Sequence, residues 1–452
     1  MITRDLEILR NLSVDAVKEC IDEFMREVYL RRATLKEYYD GQHAISHRVR
    51  TAGLPNTRIS VSFPKYITSL AAGYMLGQPI VYKDYDASDG LERLIEAYDN
   101  AQVDAVDSEL AIQQSVYGVG LECLYMNERS MPASAAVDPR SGFVVYDDTV
   151  KHLPLFGVMW RKRRSIASEK ETVAVDVFTE TERISYSGND FDSLAEVGER
   201  GWHPFVGVPM VEYWNNSDES GDFEQEISMI DAYDTLYSDR LNDKQQYADS
   251  MIVFTGIGDL SSTDPDDNRS VGQRLREDKA IIIPDQDAKV QWLTKQAGEY
   301  DTQSLALSLR DDIHKMTMVP DVSDKEFAGN NSGVALKYKL MPLEQLIKVK
   351  ERWMREGLRQ RLALYSNALV MRGFNAIDVN RVSIIFKRGL PVNELETAQM
   401  VETLRGIVPD TILLAQIPFV DDPVQAESMM RRQDSEKTET QRQSTQRMEV
   451  AA

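Results

Sequence analysis

Two histidines have the residue type and the spacing that could bind a metal ion. His43 and His47 are four residues apart, which would place both imidazoles on one face of a helix, as in the HExxH zinc motif. Ala44 stands where that motif needs glutamate, and Gly41 disfavours a helix at this point. The pattern therefore predicts two ordinary surface histidines and no zinc site.

The other candidates for catalysis are incomplete as well. Asp264 begins "DPDDN", which is similar to a calcium loop, but Arg269 stands where that loop needs glycine and Leu275 where it needs glutamate. The phosphate-binding GxxxxGK[ST] motif is absent, and "YGVG" and "TGIGD" lack the third glycine of a dinucleotide site. No serine or cysteine signature lies beside the remaining histidines, His152, His203 and His314. We predict no enzyme activity, no cofactor and no metal.

Basic residues are concentrated in one predicted helix. Nine cations stand there against Glu344, Glu351 and Glu356: Lys337, Lys339, Lys348, Lys350, Arg352, Arg355, Arg359, Arg361 and Arg372. This face is either solvated and paired within the chain or in contact with acidic faces of identical subunits, and DNA binding is a third interpretation. The candidates for contacts between subunits are Lys337, Lys339, Lys348, Arg352, Arg355 and Arg359, together with Asp231, Asp234, Asp239 and Asp243.

Composition limits the class of protein. The chain has 452 residues, with 52 Lys plus Arg against 73 Asp plus Glu, which suits two to four domains and argues against tight wrapping of DNA. The net charge of −21 favours solubility, or a surface that lies near nucleic acid without adhering to it. We expect no signal peptide and no membrane span, and the distant Cys20 and Cys123 suit a reducing cytoplasm.

Hydrophobic spacing divides the first half into helices and strands. Helices are predicted over 1–40, from Lys65 to about Gly77 and over 91–116, with a short strand after Pro79. The runs "GFVVYDD", "LFGVMWRKRR", "TVAVDVFT" and "RISYSG" predict an antiparallel meander that ends at "WHPFVGVPMVEYWNN". These elements form one predicted domain, residues 1–222, and indicate an α+β fold.

The second half alternates long helices with inserts. Long helices are predicted over 224–250 and 298–319, with a small α/β insert between them. The polar loop 321–333 leads into a third long helix, for which Ser332 is the N-cap candidate. Pro342 lies inside this helix and predicts a kink, because proline removes a backbone donor. A strand, two short helices and a disordered tail after Gln433 follow.

Five blocks of the sequence, in this order, resemble one known family. They are "FPKYITSLAAGYMLGQPI" (63–80), "SVYGVGLECLYM" (115–126), "VPMVEYWNN" (208–216), "DAYDTLYSDRLNDKQQYADS" (231–250) and "NNSGVALKYKLMPLE" (330–344). Through these blocks the chain is similar to the portal proteins of tailed bacteriophages, in the gp6-like (Bacillus phage SPP1-type) family. One departure is "SVSFPK", where an asparagine pair is expected before the Phe-Pro.

The resemblance implies a portal fold. Its parts would be a wing (1–222), a first stem helix (223–250), a clip (251–297) and a second stem helix (298–320). A tunnel loop (321–333), a long kinked helix with a strand that returns to the wing (334–390), a crown (391–433) and a disordered tail (434–452) would follow. The tunnel-loop candidates for meeting DNA are Lys325, Asn330, Asn331 and Ser332, and the clip candidates for docking a partner are Asp264, Asp266 and Asp267.

The resemblance also implies a ring of about twelve identical subunits around a channel at one capsid vertex. Double-stranded DNA would pass through it during packaging and ejection. The implied partners are terminase, head-completion or adaptor proteins, and capsid and scaffolding proteins, with assembly in the host cytoplasm and a final place in the virion. An acidic channel would repel the duplex from all sides and so keep it from adhering. The alternatives are another head or connector protein without a channel, or a metal-dependent nuclease.

Overall fold

The structure is a computed structural model, and it describes residues 1–51, 55–84, 89–164, 171–248, 252–255, 289–292, 299–323, 333–388, 394–417, 420, 423 and 426–433. Helices and strands occupy separate stretches of these residues, as in an α+β fold, so the predicted fold class is confirmed at that level.

Along the chain, the α-helices come before and after a strand-rich stretch at residues 119–214. Their bounds are α1 Val14–Phe24, α2 Leu30–Tyr39, α3 Phe63–Leu76, α4 Asp89–Asn100, α5 Val103–Tyr117, α6 Ile227–Ala248, α7 Glu299–Met316, α8 Gly333–Lys339, α9 Met341–Met371, α10 Glu394–Leu404 and α11 Asp410–Leu414. Residues 426–433 are helical as well.

The strands are short and mostly antiparallel. They are β1 Ile2–Arg4, β2 Val81–Asp84, β3 Val119–Met126, β4 Pro132–Val137, β5 Gly142–Asp147, β6 Pro154–Arg164, β7 Glu171–Phe178, β8 Glu182–Gly188, β9 Ala195–Glu196, β10 Gly201–Trp202, β11 Met210–Trp214, β12 Ile252–Thr255, β13 Lys289–Trp292 and β14 Val382–Ile385.

The predicted meander is confirmed as the larger sheet, in which β5, β6, β7 and β8 pair in sequence order. Its inner face covers α1, where Phe24 stacks on Phe143 and Trp160 closes the cluster. The prediction that the helical region begins at residue 1 is wrong, because Ile2 is buried and β1 joins β5 as a parallel strand.

The last predicted strand of the meander belongs to a different sheet. β11 pairs with β3, which pairs with β4, in a separate three-stranded sheet. α9 crosses β11 closely at Gly357, where an added Cβ would lie 2.6 Å from the ring of Tyr213. A side chain at this position would push the helix away, so glycine is needed for the close approach. The largest hydrophobic core surrounds this crossing.

Helices α6 and α7 pack against each other and are joined through the antiparallel pair β12–β13, in which Ile252 lies opposite Trp292. Tyr233, near the start of α6, and His314, near the end of α7, both pack against Phe63, so the two helices run in opposite directions. The helices predicted over 224–250 and 298–319 correspond to α6, after a 3-10 turn at Glu224–Glu226, and to α7. Farther along, β14 returns to pair with β2.

The long helix predicted to contain Pro342 is interrupted close to this residue. Leu340 separates α8 from α9, and Pro342 lies in the first turn of α9. A proline in the first turn loses no hydrogen bond within its own helix, and its ring prevents the preceding turn from continuing into it. Pro342 therefore accounts for the interruption between α8 and α9 at Leu340.

Candidate functional site

A polar stripe on α6 holds an extended segment of the chain. Asp234, Ser238 and Asn242 follow at intervals of four residues, lie on one helix face and are fully buried. Their side-chain oxygens accept hydrogen bonds from alternate backbone N–H groups, respectively Val61 at 2.8 Å, Ile59 at 3.0 Å and Thr57 at 2.7 Å. Four helical residues rise about 6 Å and two extended residues about 6.6 Å, so the spacings match. We call residues 57–61 the strap.

His43 contacts the same stripe. Its imidazole is fully buried, with Nδ1 2.5 Å from Asp234 Oδ2 and Nε2 3.0 Å from the backbone carbonyl oxygen of Tyr38. The ring stacks on that of Tyr38, whose hydroxyl donates to Asp231. Burial and this hydrogen bond raise the pKa of Tyr38 to about 12. The prediction of a surface histidine is wrong for His43, whereas His47 is exposed.

The structure changes the set of acidic residues predicted to contact another subunit. The predicted subunit contact at Asp234 is wrong, because this carboxylate is buried and is hydrogen-bonded within the chain to His43 and to the strap. Asp239 accepts hydrogen bonds from Arg48 at 2.8 Å and from Arg50. Asp231, Asp239 and Asp243 are partly exposed. The acidic residues of α6 therefore mostly join this helix to residues 38–61 of the same chain.

The basic helix α9 is not one uniform surface. Lys350 and Arg361 are fully buried, so neither a solvated face nor a subunit contact describes them. Arg361 lies between two buried carboxylates, with Nη1 2.6 Å from Asp107 Oδ1 and Nε 2.9 Å from the carboxylate of Glu122. The hydroxyl of Tyr213 also donates to Glu122, at 2.6 Å. These charges join α9 to α5 and β3.

The electrostatics of this buried cluster depend on burial. Burial alone would lower the pKa of Arg361, but Asp107 and Glu122 outweigh it and raise that pKa well above its ordinary value. Burial raises the pKa of Asp107 to about 6, although Arg361 acts in the opposite direction. The cluster therefore keeps its cation and holds one of its acids less readily ionised than an exposed aspartate.

The outer side of the same helix keeps its basic residues accessible. Lys348, Arg352 and Arg359 are exposed, and Lys348 lies 3.8 Å from Glu344. The guanidinium of Arg355 lies over the ring of Phe386. On the preceding helix α8, Lys337 is exposed and Lys339 is partly exposed. Of the predicted contact cations, Lys337, Lys348, Arg352 and Arg359 are therefore exposed, whereas Lys339 and Arg355 are partly exposed.

Arg388 forms a clamp that the sequence analysis missed. It donates two hydrogen bonds to Glu344, at 2.8 and 2.9 Å, and a third to Glu351. The hydroxyl of Tyr74 donates to the same Glu344 at 2.8 Å. The hydrogen bonds from Arg388 lower the pKa of Glu344 below its ordinary value. The clamp fixes the start of α9 to α3 and to the segment that follows β14.

Tyr66 holds the place where the chain leaves α7. Its hydroxyl donates to the carbonyl oxygen of Pro320 at 3.0 Å and accepts from the N–H of Val322 at 2.9 Å. His314 packs edge-on against the same ring and hydrogen-bonds with the carbonyl oxygen of Val319. The first residues of the predicted loop 321–333 are thereby fixed to α3.

Several predicted residues lie outside the described part of the chain. They are Lys325, Asn330, Asn331 and Ser332 of the predicted tunnel loop, Asp264, Asp266 and Asp267 of the predicted clip, and the tail 434–452. Within the described ranges, no group of three or more His, Cys, Asp or Glu side chains is arranged to hold a metal ion. None of the helices given above combines the length and apolar character that a bilayer crossing requires.

The comparison with known families covers almost the whole chain. A sequence profile of the family described as "Phage portal protein, SPP1 Gp6-like" matches residues 18–447. This match assigns the chain to the class of phage portal proteins. Within that class, the chain belongs to the SPP1 Gp6-like family, so the resemblance found in the five sequence blocks is confirmed.

Two relatives show how far the similarity extends. The portal protein of Bacillus phage SPP1 is 23% identical over 435 residues, which cover 90% of this chain and 84% of that protein. The portal protein of Clostridium phage phiCD119 is 25% identical over 232 residues, which cover 50% of this chain and 49% of that protein.

Proposed function

We propose that copies of this chain close into a ring of about twelve subunits around a channel at one vertex of the phage capsid. Double-stranded DNA passes through this channel during packaging and later during ejection, without sequence-specific contacts. The role is structural: the ring guides the duplex and docks other proteins, and the chain itself catalyses no reaction. Membership of the portal family supports this role.

The observation that carries the proposal is the paired arrangement of α6 and α7. The two helices run in opposite directions, connect through β12–β13 and return the chain beside α3. We propose that α6 and α7 are the stem, that residues 251–297 form the clip and that loop 321–333 projects toward the channel. Residues 1–222 then form the wing, 334–390 return to it, and 391–433 form the crown.

The net charge favours a channel that binds the passing DNA only weakly. The chain carries a net charge of −21, and a ring multiplies this charge around the bore. A duplex has about one phosphate charge per 1.7 Å, so an acidic bore repels it from every side. Lys325 is the only cation of loop 321–333, and with Asn330, Asn331 and Ser332 it would contact phosphates weakly.

Subunit contacts are proposed for the exposed part of the basic helix. Lys348, Arg352 and Arg359 form its accessible face, and Arg355, Lys337 and Lys339 lie at its margins. In a closed ring each subunit presents two different faces to its neighbours, so a basic face meets a different, acidic face. Asp231, Asp239 and Asp243 are the acidic candidates that are partly exposed.

The proposed partners follow from the position in the capsid. Terminase and head-completion or adaptor proteins would dock at the clip, where Asp264, Asp266 and Asp267 are the candidate contacts. Capsid and scaffolding proteins would surround the wing. The ring would assemble in the host cytoplasm and remain in the virion at the portal vertex.

The test is the assembly state of the purified full chain. Light scattering and electron-microscopic images down the symmetry axis should show closed rings of about twelve copies with an open central hole. A chain that stays monomeric under assembly conditions, or that is present in virions at the copy number of a shell subunit, would overturn the proposal.

A further inference from the structure

The hairpin formed by β6 and β7 extends beyond its neighbours in the large sheet. β5 pairs with β6 only as far as Met159, and β8 pairs with β7 only as far as Val173. Beyond Met159, Arg161–Arg164 still pair with 171–174, with Arg164 opposite Glu171, and β8 flanks this part of β7 only at residues 173 and 174. We call residues 161–164 and 171–174 the arm. Its outer part, residues 163–164 and 171–172, has only these two strands among the residues that the structure describes.

One edge of the arm carries no paired strand among the residues that the structure describes. The N–H of Trp160 donates to the carbonyl oxygen of Ser141, and the chain before Ser141 turns away through hydrogen bonds to Asp138. Backbone groups on a strand alternate in direction, so the N–H and C=O groups of Lys162 and Arg164 point to the same side as those of Trp160. This unpaired backbone edge of β6, at Lys162 and Arg164, continues the line of β5, and we call it the lane.

The lane is lined by cations. Residues 161–164 read Arg-Lys-Arg-Arg, and Lys162, Arg163 and Arg164 are exposed. Arg161 is partly neutralised by Asp176, which lies 2.7 Å away and also binds Arg183. Successive residues of a strand point to opposite faces, so both faces of the arm are basic. In a chain of net charge −21, this is a strong local reversal of sign.

We propose that this lane docks an extended acidic segment of a partner protein, which adds to β6 as a further strand. Its backbone would exchange hydrogen bonds with Lys162 and Arg164, and carboxylates at consecutive positions would lie opposite the four cations. Opposite charges facing each other across a strand pair stabilise the pairing. The recognised feature is therefore a run of about four acidic residues in β conformation.

The chemistry of the lane favours this occupant over two others. A phosphate backbone can accept from the N–H groups but cannot donate to the carbonyl oxygens, so DNA would leave half of the edge unsatisfied. A second copy of the same arm would place like charges opposite each other, which disfavours pairing. An acidic polypeptide strand satisfies both the backbone groups and the charges.

The experiment measures binding of a synthetic peptide to the purified full chain by isothermal titration calorimetry. The peptide has four consecutive glutamates flanked by valine and threonine. A matched peptide has the same sequence with N-methyl groups on alternate backbone nitrogens of the pairing edge. We expect saturable binding of the first peptide and a loss of about tenfold or more for the second, because N-methylation removes hydrogen bonds and keeps the charge.

The variant Lys162→Glu/Arg164→Glu should weaken binding of the first peptide by about tenfold or more, whereas Arg26→Glu, an exposed cation on another part of the wing, should leave it unchanged. Circular dichroism of both variants checks that they fold. Equal binding of the two peptides would reduce the contact to non-specific charge attraction and overturn the proposal. Tighter binding of a short DNA duplex than of the first peptide, or an unchanged affinity in the double variant, would overturn it as well.

Discussion

The Nζ atom of Lys350 lies 2.6 Å from Oδ2 of Asp222, and both side chains are almost completely buried. The same ammonium donates to the hydroxyl of Ser115, and the other oxygen of Asp222 accepts from Asn215. A buried ion pair costs less when further hydrogen bonds satisfy its charged groups, and Ser115 and Asn215 each supply one here. The pair fastens α9 to the end of α5 and to the segment that leads into α6.

Replacing Lys350 by methionine tests this fastening. Lys350→Met leaves the Asp222 carboxylate buried without its cation, and we expect a loss of about 3–5 kcal/mol in the free energy of unfolding. Urea denaturation measures it. The control is Lys348→Met, since Lys348 is exposed and should change stability by less than about 0.5 kcal/mol. Equal effects of the two variants would show that the buried pair has no special role.

The raised pKa of Asp107 leads us to expect that stability depends on pH. Its pKa is raised to about 6 by burial, whereas in the unfolded chain it is about 3.9. Between pH 4 and 6 the folded state therefore keeps a proton that the unfolded state has lost, so this group makes stability fall as the pH rises through that window. Asp107→Asn should remove this fall, which is on the order of 2 kcal/mol.

Urea denaturation at a series of pH values checks the prediction for Asp107. Asp104→Asn is the matched control, because Asp104 lies on the same helix and is exposed. The control variant should keep the wild-type slope between pH 4 and 6. If Asp107→Asn also keeps it, another group is responsible for the pH dependence.

The strap predicts a local effect on hydrogen exchange. Ser238→Ala removes the acceptor of the Ile59 N–H and leaves that partly buried group unpaired, at a cost of about 1 kcal/mol. Exchange in peptides covering residues 55–61, measured by mass spectrometry, should be about tenfold faster or more. Thr235→Ala, an exposed change on the same helix, should leave these peptides at the wild-type rate. Unchanged protection in Ser238→Ala would contradict the proposed ladder of hydrogen bonds.

We expect replacement of Pro342 to affect ring assembly more than the stability of the single chain. Pro342→Ala restores a backbone N–H, which lets α8 and α9 continue as one helix across Leu340. We expect the free energy of unfolding to change by less than about 1 kcal/mol, whereas the yield of closed rings in sedimentation velocity falls. Met341→Ala, at an exposed neighbouring position, is the control. Normal rings and normal DNA packaging in Pro342→Ala would show that the helix change is not needed.

The sheet and the long helices could be predicted because their cores follow regular periods. The strands of the meander are continuous β-branched and aromatic runs, and Ile347, Met354 and Leu358 recur at helical spacing. Lys350 lies between the first two of these positions and Arg361 lies three residues after Leu358, in the same stripe. Their position was the available signal for burial, but charge alone suggested a surface.

The strap could not be predicted in the same way. Its donors are backbone N–H groups, which every residue except proline supplies, so residues 57–61 carry no recognisable motif. The acceptors are an aspartate, a serine and an asparagine on a helix, and these residue types are usually exposed. His43 was missed for a related reason, since its partner Asp234 is 191 residues away in the sequence.

The hydrogen bonds between the strap and α6 restrict substitutions more strongly on the helix than on the strap. Thr57, Ile59 and Val61 contribute only main-chain atoms to this ladder, so the ladder itself allows any residue except proline at these positions. Positions 234, 238 and 242 contribute the oxygen atoms themselves and tolerate only side chains that present an acceptor at the same reach. Divergent portal sequences should therefore vary along one side of this contact while remaining polar along the other.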